Sequence, residues 1–475
     1  MKRVLVLLLV AAGALAGCGS SGSTDSTLRS TWVDPGHTGE LARGPGEPFV
    51  HRTELALRSR PVRQLALFAQ FTDAHVRDEE SPARVPFLDR YGGAFSSTFR
   101  PQEALSPQVL AATVRAIDSL HPQAVVETGD LIDNDQANEL AQALAVLRGG
   151  TVDPNSGAPG YSGVQSSSNP DPLYYRPDVD APRHPGLLLA AERRFRSPGL
   201  NAPWYPVVGN HDLLVQGEIA PTPALNAVAT GSPRVVQLDP SVQVSAANER
   251  FAAAEVARLL AGGLPGRTTR TPPDPGRRLL RPAELLARLR AASAAGGTGP
   301  LLRYSFDIGT DVRAIVLDTV HRDQGSGGTL PPAEVAWLKS ELARAGKRWV
   351  VVFSHQALTS FPEAQPALAL LDRDPRVIAA IAGNSHRNRI EARRTPAGGY
   401  WVITTSSLAD YPQQARAFRL VQTANGRVAL ETWMIDHDNG NMAGVARALS
   451  YLDVQGGRPK AFAGARSDRN AVLYR

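Results

Sequence analysis

Apolar positions along the chain fall into short runs that alternate with stretches of helical spacing. Gln64-Leu65-Ala66-Leu67-Phe68-Ala69-Gln70-Phe71 reads as a buried strand and Ala124-Val125-Val126-Glu127-Thr128 as a second. Between them, Val109, Leu110, Val114, Ile117 and Leu120 recur every three or four residues, which predicts a helix over 105–120. A further helix is predicted over 131–147. Tyr205-Pro206-Val207-Val208 reads as a third strand, and its proline places it at a sheet edge or rim. Downstream, residues 312–317, 349–353, 376–382 and 400–405 read as strands and 332–345 as a helix. Residues 400–435 as a whole look like strands completing a sheet. Strands interleaved with helices predict an α/β domain with a largely buried sheet.

Two stretches break this rhythm. Residues 149–203 are rich in Gly, Pro, Ser and Asn, with aromatics at Tyr161, Tyr174 and Tyr175. Residues 213–300 contain two predicted helices, 246–260 and 282–294, separated by a basic, proline-rich segment at 267–278. Long irregular segments are uncommon in compact domains and often functional, so both read as insertions beside an active site. Arg267, Arg270, Arg277 and Arg278 would contact an anionic substrate if the second insertion folds over the cleft; equally, they form a solvated basic loop.

Composition narrows the class. Of 475 residues, 43% are hydrophobic and 20% charged, which excludes bulk disorder. The formal charge is +6, but the basic residues are dispersed and no run of five or six occurs, so no nucleic-acid-binding stripe is expected. A single cysteine excludes an intrachain disulfide and a thiolate metal cluster within one chain.

That cysteine has a context. Met1-Lys2-Arg3 precedes an unbroken apolar stretch at residues 4–14, too short for the roughly 20 residues of a spanning helix and suited to a signal peptide. Leu15-Ala16-Gly17-Cys18 then resembles the bacterial lipoprotein box. The resemblance implies a signal peptide at 1–17, lipidation at Cys18 and an exported protein held in the cell envelope by its acyl anchor. The alternative is an ordinary secretory signal. Residues 19–30 read as a flexible tether, within an N-terminal extension over 18–60 that precedes a catalytic domain at 61–475.

Candidate chemistry sits in the turns after five of the strand-like runs. These carry Asp73 and His75, then Gly129-Asp130-Leu131-Ile132-Asp133, Gly209-Asn210-His211-Asp212, Ser354-His355-Gln356 and Gly383-Asn384-Ser385-His386. In α/β sheets the carboxyl ends of strands line the ligand crevice, so five such loops would converge. Taken singly, Gly-Asp also serves as a turn with Asp130 capping a helix, and His355 as a satisfied core histidine. Nitrogen and oxygen donors without thiolate suit Mn, Fe, Zn or Mg.

In that order the motifs resemble the calcineurin-like metallophosphoesterase family, over residues 64 to about 435. The resemblance implies a four-layer α-β-β-α sandwich of two mixed sheets. It implies two divalent or trivalent metal ions, one held by Asp73, His75 and His386, the other by Asn210 and His355, with Asp130 between them. The activity it implies is hydrolysis of a phosphomonoester or phosphodiester, with a metal-bridging hydroxide attacking phosphorus in line. His211 would meet the phosphoryl oxygens, with Asp212 holding its other nitrogen; Asp133 and Asn388 would play supporting parts. One departure stands out. The family's Gly-His-x-His is here Gly383-Asn384-Ser385-His386, so Asn384 replaces a ligand. Either its amide oxygen serves as a weaker donor, or the second site is weak, empty or completed elsewhere, for which His437 is a candidate. A catalytically degenerate envelope-binding protein is the competing reading.

Overall fold

A computed structural model describes residues 26–244, 256, 258–260, 265–323, 325–437, 440–453 and 461–475. The expected strands form, and the principal ones in chain order are β1 (Val50–Arg52), β2 (Pro61–Phe71), β3 (Ala124–Thr128), β4 (Trp204–Val207), β5 (Tyr304–Ile308), β6 (Val312–Val316), β7 (Trp349–Phe353), β8 (Val377–Ala382), β9 (Arg389–Arg393), β10 (Tyr400–Thr404), β11 (Gln414–Thr423), β12 (Val428–Asp436) and β13 (Ala471–Tyr474). They sort into a seven-stranded sheet, ordered β1-β13-β12-β11-β2-β3-β4, and a six-stranded sheet, ordered β5-β6-β7-β8-β10-β9. In the first sheet β2, β3 and β4 run parallel while β11, β12 and β13 pair antiparallel. In the second, β6, β7, β8 and β10 are parallel, with antiparallel β5 and β9 at the edges.

The inner faces of the two sheets meet in one core. Phe68 of β2 stacks on Phe418 of β11 at 5.0 Å and meets Phe353 of β7 edge-on at 6.0 Å. Helices cover the outer faces: α1 (Ser106–Asp118), α2 (Ala137–Arg148) and α5 (Asn441–Leu452) on the first sheet, α3 (Pro332–Arg344) and α4 (Gln365–Leu371) on the second. Leu338, Leu342, Leu368 and Leu371 of α3 and α4 bury against Val350, Val352, Val377 and Val402. The strands they cover read as continuous apolar runs because both faces are buried. The fold is thus the four-layer α-β-β-α sandwich that the family resemblance implies.

Several expectations shift. The helix foreseen over 131–147 begins only at Ala137, because Asp130 (φ 55°) and Asp135 (φ 53°) take left-handed backbone in the preceding loop. Pro206 lies, as its chemistry demands, in the edge strand β4. The first insertion holds a short hairpin (Gly150–Val152 with Phe195–Ser197), a one-turn helix (Leu187–Ala191) and otherwise irregular chain. The second holds helices Pro223–Thr230 and Pro282–Ala292 and a hairpin, Pro233–Leu238 with Gly266–Arg270, in a stretch where no strand was expected. The helix foreseen over 246–260 falls largely outside the described residues. The arginines of that insertion are not alike: Arg277 is fully buried, with Nε 2.8 Å from Asp78, while Arg278 pairs with Glu284 at 2.5 Å. None of Arg267, Arg270, Arg277 and Arg278 lines the cleft described below.

The signal peptide and Cys18 lie outside the described residues. From Ser26 the chain already belongs to the body: Ser26 bridges Ile435, and the buried Thr27 hydroxyl donates to Met434 O at 3.0 Å. A hairpin (Ser30–Val33 with Ala42–Pro45) follows, and β1 then extends the first sheet beside β13. Residues 26–30 of the foreseen tether are therefore folded.

Candidate metal centre

The loops after β2, β3, β4, β7 and β8 converge at one end of the two sheets. Their backbone is bent hard to do so. Asp73 (φ 51°), His75 (φ 43°), Asp130 (φ 55°), Asn384 (φ 62°) and His386 (φ 55°) all occupy the left-handed region. Residues other than glycine rarely do, at a cost of about 1–3 kcal/mol each, and such strain clusters at functional sites. Two glycines make room for the rings. A Cβ on Gly129 (φ 96°) would come within 2.3 Å of His355 Nδ1, and one on Gly217 (φ 69°) within 2.4 Å of the His211 ring.

Every site histidine commits Nδ1 to an oxygen. His75 Nδ1 is 2.9 Å from Asp133 Oδ1 and His386 Nδ1 is 2.5 Å from Asp410 Oδ2. His355 Nδ1 is 2.8 Å from the Thr128 carbonyl, and His211 Nδ1 is 2.7 Å from the Asp133 carbonyl. A carbonyl only accepts, so Nδ1 of His355 and His211 carries the hydrogen, and the carboxylates impose the same tautomer on His75 and His386. In the neutral ring that leaves Nε2 with its lone pair available to a ligand.

These nitrogens crowd together. His75 Nε2 lies 3.3 Å from His386 Nε2, which is 3.3 Å from Asp73 Oδ1. His355 Nε2 lies 3.2 Å from Asp130 Oδ2 and 3.1 Å from Asn210 Oδ1; the same Asp130 oxygen is 3.8 Å from His75 Nε2. Asp73 Oδ1 is buried and accepts no hydrogen bond. Lone pairs converging at such distances repel unless a proton or a metal cation sits among them. Among the described residues, three sets have ligand atoms within 4.8 Å of one another: Asp73, His75 and His386; Asp73, Asp130 and His355; His75, Asp130 and His211. An orphaned carboxylate oxygen among oriented imidazoles fits a metal centre, and Asp130 adjoins both histidine groups.

The electrostatics agree. Burial alone would raise the Asp130 carboxyl, but His355 and His211 outweigh it and hold it well below the usual range. His355 is pushed up to about 10 and His386 to about 9; burial opposes their charge, yet Asp130 beside the first and Asp73 with Asp410 beside the second prevail. For His75 burial wins over the Asp133 hydrogen bond, and the ring falls to about 4. The carboxylates at the centre of the site draw positive charge towards them.

Other sequence expectations fare differently. Asp212 does not hold His211: its carboxylate accepts from the N–H groups of Gly209 (2.8 Å), Asp130 (3.0 Å) and Ile132 (3.1 Å), tying the β3 and β4 loops together. The partner of His211 is instead the Asp133 carbonyl. Asp133 orients His75 through its carboxylate, which also accepts from Arg77 Nη2 at 2.9 Å. Asn210 turns Oδ1 inward because its Nδ2 donates to Gly217 O at 3.1 Å. Asn384 lines the cleft, and its N–H donates to Asp73 Oδ2 at 3.1 Å. Asn388 is a structural bolt, its Oδ1 accepting from Ser406 N and Arg416 Nη2. His437 is buried, with Nε2 3.4 Å from Gln413 Oε1, and belongs to none of the three ligand sets.

Sequence reasoning missed Asp410, which orients His386, and the arginines across the cleft. Arg100 grips Asp410 at 2.6 and 3.1 Å. Arg77 joins Asp133 to Glu103, and Arg84 pairs with Glu103 at 2.8 and 2.9 Å. All three arginines line the cleft, whose volume is about 250 Å³. They lie on one stretch between the first two motifs, and no spacing rule marks them.

The chain matches no family model and no curated relative. Among solved structures it is similar to a dimetal phosphatase from Danio rerio, at 14% identity and a TM-score of 0.41, covering 79% of this chain and 98% of that one. It is also similar to the sulfate thiohydrolase SoxB of Thermus thermophilus in complex with glycerol, at 12% identity and a TM-score of 0.31, covering 84% of this chain and 62% of that one. At these scores neither likeness carries weight by itself; the geometry of the centre does.

Proposed function

We propose that this protein is a metal-dependent hydrolase of phosphoesters. The observation that carries the reading is the pair of Nε2 atoms of His75 and His386, 3.3 Å apart beside an Asp73 oxygen with no hydrogen bond. Asp73, His75 and His386 would hold one metal, Asn210 and His355 a second, with Asp130 shared and Asn384 a weak further donor. Oxygen and nitrogen donors admit Mn, Fe, Zn or Mg. A bound metal pair supplies Lewis acidity, lowering the pKa of water and neutralising charge on phosphoryl oxygens. His211, with Nδ1–H committed to Asp133 O, keeps Nε2 for the substrate; doubly protonated, it can give a proton to the leaving oxygen. Asp212 keeps the loops of Asp130 and His211 in register. Asp133 and Asp410 fix the rings of His75 and His386.

The test is turnover of p-nitrophenyl phosphate and its bis ester by Mn-loaded protein, with Asp130→Asn as control. Metal-dependent hydrolysis lost in the variant supports the reading; no difference between the two proteins refutes it. Metal content with and without Asn384→His reports the second site: two per chain in the wild type means that asparagine suffices. From the resemblance of Leu15-Ala16-Gly17-Cys18 to the lipoprotein box we also propose that the protein is exported and anchored through a lipid on Cys18. Among the described residues no helix is long and apolar enough to cross a membrane. Mass spectrometry of the mature N-terminus tests the anchor.

A further inference from the structure

We infer that residues 84–100 form a specificity wall that selects phosphomonoesters with a compact, uncharged leaving group over phosphodiesters. The inference rests on the phosphoester reading above and concerns a segment outside all five ligand-bearing loops.

Three observations carry it. The first is placement. Arg84, Val85, Phe95, Ser97, Thr98 and Arg100 line the cleft that Asp130, Asn210, His211 and His386 also line. The second is rigidity. Val85 and Phe95 are themselves buried, packed with Phe87 and Leu88 against Leu238 of the second insertion. Phe99 meets Tyr174 of the first insertion edge-on at 5.1 Å, and Arg90 pairs with Asp171 at 2.8 Å. Both insertions thus brace the wall from behind, so it does not yield to a larger substrate without disturbing their packing. The third is charge. Arg77, Arg84 and Arg100 are already matched by Glu103, Asp133 and Asp410. With those cations neutralised, the wall makes no demand for a second anionic group. What it offers the leaving group is the hydroxyls of Ser97 and Thr98, with the buried side chains of Val85 and Phe95 packed directly behind them.

Volume decides between mono- and diester. The cleft holds about 250 Å³, below the roughly 300–1,000 Å³ of pockets that bury drug-sized ligands. A phosphoryl group and one small organic arm fill such a space; a second arm meets the braced wall.

The experiment compares kcat/KM for p-nitrophenyl phosphate and bis(p-nitrophenyl) phosphate in wild type, Phe95→Leu and Phe95→Ala, all Mn-loaded. The wild type is expected to favour the monoester strongly. Trimming Phe95 should lower that preference by about 10–200-fold, the range over which pocket-filling groups discriminate. Binding gives a second readout: phenylphosphonate should raise the melting temperature of the wild type and diphenyl phosphate should not, while both should do so in the variants. Val85→Ala replaces Phe95→Ala if the latter fails to fold. A wild type that cleaves the diester as well as the monoester, or variants with an unmoved ratio, overturns the wall while leaving the hydrolase intact. Cleavage of neither ester by metal-loaded wild type overturns the phosphoester reading itself, and the wall with it.

Discussion

Replacing Asp410 by asparagine should weaken metal binding without touching any ligand. The Asp410 carboxylate is buried and does two things: it accepts the His386 Nδ1 hydrogen at 2.5 Å, and it receives both arms of Arg100 at 2.6 and 3.1 Å. Asparagine keeps the shape and loses the charge. A ligand histidine deprived of such a partner typically loses 10–100-fold in metal affinity, or about 1.4–2.7 kcal/mol. The retained amide oxygen can still accept from Nδ1, which favours the lower end. Stability falls as well, since Arg100 keeps its buried charge and loses its match; breaking a buried pair in this way costs about 3–5 kcal/mol. Arg100→Gln separates the two effects, because it leaves the carboxylate on His386. Manganese titration of metal-free protein, followed by mass spectrometry of bound metal, gives the affinities, and thermal melts give the stabilities. Asp410→Asn should lose affinity and stability, and Arg100→Gln mainly stability. A folded Asp410→Asn protein that binds manganese as tightly as the wild type would refute the reasoning.

Two further outcomes are expected. Gly217→Ala places a Cβ within 2.4 Å of the His211 ring and 2.6 Å of Asn210 Nδ2 at a left-handed backbone, so both side chains must shift; kcat should drop about 100-fold or more and metal content at the Asn210 site should fall with it, as kinetics and metal analysis of the same sample will show. Glu192, raised to about 8 by burial and by the neighbouring Glu80 carboxylate, links the first insertion to pH. Because its folded value lies above the ordinary 4.5, its contribution is complete below that pH and is lost as pH rises through about 8. The melting temperature should fall between pH 5 and pH 8, and Glu192→Gln should flatten that fall.

The strand-turn motifs were legible because each joins a short apolar run to a turn rich in nitrogen and oxygen donors. Asp73, His75, Asp130, Asn210, His355 and His386 therefore meet in space as their order suggested. The role of Asp212 was misread, since sequence adjacency to His211 says nothing about which backbone amides a carboxylate will reach. Asp410 and Arg100 stayed hidden for a related reason: a carboxylate and a guanidinium 310 positions apart form a pair only after two sheets have packed. The strand β11 was seen only as part of a longer stretch, because Gln414, Arg416 and Arg419 interrupt its apolar run. Arg416 is nonetheless buried, held by Thr405, Thr432 and Asn388 side chains, so polarity on the page did not mean solvent in the fold.

The docking of Ser26 has a geometric consequence. It bridges Ile435 near the end of β12, and β12 runs antiparallel to β11, which runs antiparallel to β2. Ser26 therefore sits at the same pole of the molecule as the loop bearing Asp73 and His75. The eight steps of chain from Cys18 to Ser26 reach at most about 29 Å even when fully stretched. On the proposed anchorage, the lipid is joined to the body at the pole that carries the candidate metal centre, and that pole stays within a few nanometres of the bilayer surface.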